Sequence, residues 1–177
     1  MYVNAKKIAF LGLLLAFAVI LVIFSGIFEF NTLFLLAAAS FCVGIAIREC
    51  KMALGFGFFI ASTLLSLMLA PNKLYCITYS AFGLYIVIAE YTWGKLEKGK
   101  IRKNRSELLW IIKYIVFNLM FIPMVLFFPK LFYQGSINPG LIAVFLFGGQ
   151  IALFIFDNAY RYFQRSIWGK VRHHFQL

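Results

Sequence analysis

Charge is what this chain has least of. Only 13% of its 177 residues are charged, against roughly 25% in an ordinary soluble domain. Acids are the scarcer sign, six Asp and Glu against 17 Lys and Arg. With 63% of residues hydrophobic, there is too little polar surface to face water, which excludes an independent aqueous domain. Histidine is nearly missing: only His173 and His174 occur, adjacent in the tail, and neighbouring helix positions point about 100° apart, a poor clamp for a metal. Cys42, Cys50 and Cys76 form no CxxC or Cys/His spacing, so they read as packing residues rather than a metal site. There is no GxxxxGK[ST] phosphate loop, no HExxH and no GxSxG elbow. The expectation is a protein that is not an enzyme, holds no cofactor and cannot couple ATP by itself.

Long uncharged apolar runs are what the chain has in abundance. They predict helices at about Ile8 to Phe28, Thr32 to Ile47, Met52 to Ala70, Leu74 to Trp93, Leu108 to Phe128 and Gly140 to Tyr160. Five are long enough to cross a bilayer unaided; the second, at about 16 residues, is short of the roughly 20 required and is either a short or a partly re-entrant span. Breakers fill the joins: Glu29 to Asn31, Arg48 to Lys51, Pro71-Asn72, and Pro129 to Pro139 with Gly135. None is long enough for a domain linker. The reading is therefore all-α, a single integral membrane bundle of six transmembrane helices over residues 1–177.

The basic residues then set orientation. With a cytoplasmic N-terminus, the inner side holds Lys6, Lys7, Arg48, Lys51, Lys95, Lys98, Lys100, Arg102, Lys103, Arg105, Arg161, Arg165, Lys170 and Arg172, and the outer side only Lys73 and Lys130. That bias follows the positive-inside rule and puts both termini in the cytoplasm. The net charge of +11 is thus topology in short loops rather than a nucleic-acid footprint, which needs a basic patch on a folded face. Lys6 and Lys7 before an apolar stretch resemble a signal peptide, but without a small-x-small cleavage site the stretch reads as a retained first helix.

On that first helix Ala5, Ala9, Gly12 and Ala16 recur at i, i+4, i+7 and i+11, lining small residues along one face. In lipid such faces let helices approach closely. The face is either a docking surface for a separate membrane subunit or packing inside this bundle. Ser40 and Gly44 repeat the pattern briefly on helix two, where internal packing is expected.

The start AKKIAFLGLLLAFAVIL, the NTLFLL opening of a short second helix, the GFGFFIASTLLSLMLAPNK third helix and six helices in under 200 residues together resemble the substrate-binding S components of energy-coupling-factor transporters. The likeness spans the topology, and its specific matches lie in the first half. It implies that Ala9, Gly12 and Ala16 contact a transmembrane coupling subunit that carries ATPase subunits, although Gly12 stands where alanine is usual. It also implies a small, vitamin-like ligand held near the outer surface. Rod-shape-determining membrane protein D is similar in size and helix count and implies a non-transporting cell-envelope scaffold instead.

Polar residues within the membrane need a reason. At 1.5 Å per residue, Glu90 lies about 24 Å along helix four from the outer side, Asp157 about 25 Å along helix six, and Lys113 about 8 Å in from the inner side. At that shared level Lys113 pairs with either Glu90 or Asp157, and Arg161, one turn after Asp157, joins them. The cluster is either a structural ion-pair group, a set of side chains snorkelling to the headgroups, or a proton relay. Asn118 and Gln150 meet at the midplane, as facing amides or as the floor of a ligand cavity. Outside, Glu29, Asn31, Asn72, Lys73, Tyr133, Gln134 and Asn138 gather in three loops, and Tyr75, Tyr79 and Phe82 follow at i, i+4 and i+7. That stripe is either a pocket wall or the interfacial aromatic belt. The candidate substrate-binding set is Asn31, Asn72, Lys73, Tyr75, Tyr79, Asn118, Gln134 and Gln150.

Past Asp157 the last helix runs into a basic cytoplasmic tail, 161–177. Asp157, Arg161, Gln164, Arg165 and Arg172 lie on one side and Ala159, Phe163, Ile167 and Val171 on the other, an interfacial pattern expected against anionic headgroups. A lipid bilayer, a small-molecule ligand and a coupling subunit are the expected partners, with residence in the plasma membrane.

Overall fold

A computed structural model describes residues 5–28, 31–98, 105–127 and 139–171. Among them there is no strand. Five helices are long and apolar enough to cross a membrane, an architecture compatible with a multi-pass membrane protein. They are α1 (Ala5–Ser25), α2 (Thr32–Leu69), α3 (Lys73–Lys98), α4 (Arg105–Phe127) and α5 (Pro139–Tyr162), the last continuing through a π-helical segment, Phe163–Trp168. Successive helices pack on one another along the chain.

The 38 residues of α2 would measure about 57 Å if straight, nearly twice the hydrocarbon thickness. They do not run straight. Lys51 adopts φ 73° and ψ 160°, which divides the element into two helical arms. The arms fold back closely: a Cβ on Gly55 would stand 2.6 Å from Ile47 Cα, so only glycine fits at that crossing. The break falls where Arg48 to Lys51 interrupts the apolar pattern.

α1 buries Phe10, Leu14, Ala18, Val22 and Ser25, a helical stripe packed with Leu36, Val43, Ala46 and Tyr79 into the larger core cluster. Its C-terminal end is tied down by Thr32 Oγ1, which donates to the Ser25 carbonyl at 3.0 Å. A smaller, aromatic core joins α5 to α2 and α3 through Phe41, Tyr85, Ile86, Leu153 and Tyr160. Phe156 is its hub, with ring centroids 5.5 Å from Phe41 and 4.7 Å from Phe82. Large apolar side chains point outward all around, including Met68, Phe34 and Phe147 at 79%, 72% and 74% exposure. In water such a surface would drive aggregation; in lipid it is the solvent-facing side.

The end of α5 departs from the interfacial expectation. Asp157, Tyr160, Gln164 and Trp168 are buried, while Ala159 and Ile167 are exposed. Part of the polar side, Asp157 and Gln164, therefore faces protein, while Arg165 stays exposed and Phe163 of the apolar side packs on Phe41. The cause is a pair of partners on neighbouring helices: Trp168 packs on Phe10, with ring centroids 5.8 Å apart, and its Nε1 donates to Glu49 Oε1 at 3.0 Å. The π turn widens the helix where that reorientation occurs, as such segments commonly do at special sites.

Candidate functional site

At one end of the bundle the turns after α1 and α2 lie together, Gly26 meeting Pro71. The polar residues there are occupied with capping. Asn72 Oδ1 accepts from the Leu74 amide at 3.0 Å, satisfying one of the free donors at the start of α3. Lys73 Nζ donates to the Ala70 carbonyl at 3.1 Å and also to that of Leu67, placing a cation on the carbonyl end of α2. Asn31 is exposed and its side chain makes no capping bond. Gln134, with Glu29, Tyr133 and Asn138, lies outside the described residues.

The aromatic stripe on α3 turns inward. Tyr75 packs against the larger core, Tyr79 is fully buried with its hydroxyl 2.7 Å from Ser62 Oγ, and Phe82 stacks on Phe156. Tyr79 and Phe82 are therefore core residues rather than an aromatic belt. Between α4 and α5, Gln150 Nε2 donates to Asn118 Oδ1 at 2.8 Å and Asn118 Nδ2 returns a longer bond to Gln150 Oε1 at 3.4 Å. Asn118 Nδ2 also reaches the Tyr114 carbonyl at 2.9 Å. The facing-amide arrangement is the one present, and in lipid it contributes about 0.6 to 2 kcal/mol.

The densest polar chemistry sits at the opposite end, along α5. Asp157 Oδ1 receives Lys113 Nζ at 2.5 Å and the Tyr85 hydroxyl at 3.1 Å, while Arg161 Nε lies 3.2 Å from Oδ2 as an ion pair without hydrogen-bond geometry. Glu90 was expected to compete for Lys113, but it takes different partners: Arg48 through Nε at 2.9 Å and Nη2 at 2.5 Å, and the Tyr160 hydroxyl at 2.6 Å. The reason lies in the bend of α2. Arg48, counted in the sequence as a loop charge, ends the first arm against α3 and also lies over the Tyr160 ring at 5.7 Å. Glu49, equally unremarked in the sequence, is 7% exposed and accepts from Trp168, while its carbonyl accepts from Lys7 Nζ at 3.3 Å.

Three carboxylates on three elements thus hold α5 and its extension. Asp157 of α5 is bonded from α3 and α4, Glu90 of α3 takes Tyr160, and Glu49 of α2 takes Trp168. A buried charge is tolerated only when compensated in this way. Spacing alone identified Lys113, Asp157 and Arg161; Arg48, Tyr85, Tyr160 and Trp168 were invisible because their partners are 42 to 119 residues away. Among the described residues no group of three or more His, Cys, Asp or Glu could hold a metal.

The small-residue face of α1 points away from the bundle. Ala5, Ala9, Gly12 and Ala16 are all exposed, and a Cβ on Gly12 would meet nothing within 4 Å. Internal packing of that face, one of the two alternatives, is not what the helix does.

No protein-family model matches this chain, and no curated protein and no solved structure matches it either.

Proposed function

We propose that the protein is the membrane-embedded substrate-capture subunit of a nutrient uptake transporter, similar to the S components of energy-coupling-factor systems. In this reading six helices cross the plasma membrane, the two arms of α2 each crossing once, and both termini are cytoplasmic. The ligand is a small, vitamin-like molecule taken at the outer end. A separate transmembrane coupling subunit with its ATPase subunits supplies energy and moves the whole bundle.

The observation that carries this reading is the outward small-residue face of α1. Ala9, Gly12 and Ala16 form a shallow, unobstructed strip on a helix whose other side is packed with Phe10, Leu14 and Ala18. In lipid a strip of this kind admits a second helix at close range. Replacing Gly12 and Ala16 with leucine should abolish co-purification of an ATPase-linked partner and leave ligand retention intact. Unchanged association would remove the docking role.

A second reading, a non-transporting cell-envelope scaffold similar to rod-shape-determining membrane protein D, draws on a different observation. Asn72, Lys73, Tyr79, Asn118 and Gln150 use hydrogen-bonding capacity within the bundle. Mass spectrometry of material released by denaturing the mildly purified protein separates the two. A stoichiometric small molecule favours capture; protein partners without a ligand favour the scaffold.

A further inference from the structure

The charge group on the seam between α4 and α5 does not balance. Lys113 and Arg161 both converge on Asp157, which leaves one positive charge in excess. Extending the count along both helices adds Arg105 and Glu107 on α4 and Arg165 on α5, and four cations against two carboxylates leave two. The other deep ion pair, Arg48 with Glu90, is neutral.

The excess charge is displayed outward. Asp157 retains 1% side-chain exposure, whereas Arg161 retains 41%. The Arg161 guanidinium lies over the Trp110 ring at 5.5 Å, and Trp110 stacks on Phe154 with centroids 5.9 Å apart. Arg161 Nη2 is steered by Asn158 Oδ1 at 2.6 Å, so the side chain is held rather than free to snorkel. Around it Ile111, Tyr114, Phe154 and Ile155 are exposed. Arg161 follows Pro139 by 22 residues of α5, about 33 Å along its axis, which is the depth where hydrocarbon gives way to headgroups.

We propose that this seam binds the headgroup phosphate of an anionic phospholipid, with Arg161 as the phosphate donor and the Trp110–Phe154 pair flanking an acyl chain. A guanidinium matches phosphate geometry and its charge-assisted bonds are strong. The apolar rim selects a lipid over a soluble anion, because a free phosphate would have to give up water among Ile111, Tyr114 and Ile155 with nothing apolar to offer in return. This site makes no use of substrate capture and stands whatever is carried at the outer end.

The test is native mass spectrometry of the full chain in mild detergent, offered phosphatidylglycerol and phosphatidylcholine of identical acyl chains. The unmodified protein should retain the anionic lipid about tenfold over the zwitterionic one, the scale of one charge-assisted contact. R161Q should lose about tenfold of the phosphatidylglycerol adduct and leave the phosphatidylcholine adduct unchanged. W110L, which keeps every charge, should lose about threefold, and R105Q should behave as the unmodified protein. R161Q keeps Lys113 and Tyr85 on Asp157, so the buried carboxylate stays compensated. Should that variant fail to fold, the two-lipid comparison on the unmodified protein decides alone. Equal retention of both lipids, an R161Q adduct at parental level, or displacement of phosphatidylglycerol by equimolar inorganic phosphate would overturn the proposal.

Discussion

Asp157 has a fully buried side chain inside a seam that carries more cations than acids. Removing it strands Lys113, which is itself only 12% exposed, and leaves the Tyr85 hydroxyl without its acceptor. D157A should therefore cost about 3–5 kcal/mol, the penalty for an uncompensated buried charge. Scanning fluorimetry in detergent should show a large drop in the unfolding midpoint. The double variant K113M/D157L removes both charges and should recover much of that loss. A double variant as unstable as D157A would mean that the pair is more than mutual compensation. By contrast N118L, which breaks an amide pair, should lower stability by about 1 kcal/mol.

Within the elements, two backbone positions control how helices meet. Lys51 holds a conformation that is essentially reserved for glycine, at φ 73° and ψ 160°. K51G should accordingly raise stability by about 1 kcal/mol, measured as a higher unfolding midpoint with unchanged helix content by circular dichroism. No gain would mean that the lysine side chain itself offsets the strain. Gly44 admits Tyr160, whose ring carbon Cζ would stand 2.8 Å from an added Cβ. G44V should overpack that contact, push Tyr160 off Glu90 and destabilise by about 1–3 kcal/mol. G57V, where a Cβ meets nothing within 4 Å, is its control. The break at Arg48 to Lys51 was readable from run length and breakers, because lipid demands about 20 apolar residues per crossing, whereas the two runs on either side of it form one bent α2 among five helices long and apolar enough to cross a membrane. The π segment was not, since its cause is Trp168 reaching Phe10 and Glu49.

For the molecule as a whole, the six-crossing proposal puts the bend of α2 on the same side as the 95–105 segment and the α2–α3 turn on the other. In a background lacking Cys42, Cys50 and Cys76, K51C should react with a membrane-impermeant maleimide only from the cytoplasmic side and N72C only from outside. Labelling of both from one side would reduce α2 to a non-crossing hairpin. The same topology places the charged ends of α3, α4 and α5 at one level, where Glu90, Lys113 and Asp157 lie.

Hydropathy was enough to specify helices long and apolar enough to cross a membrane, because transfer of apolar groups between water and lipid depends on composition and position along the chain. Which face of each helix meets protein was beyond its reach. The Tyr79 stripe turned inward and the Ala9–Gly12–Ala16 strip turned outward, although small and aromatic residues suit either side in lipid. Only close approach decided between them: Arg48 carried to Glu90 by a bend at Lys51, and α5 seated on Gly44 by Tyr160. Such choices depend on distances between residues far apart in sequence, and those distances exist only once the chain has folded.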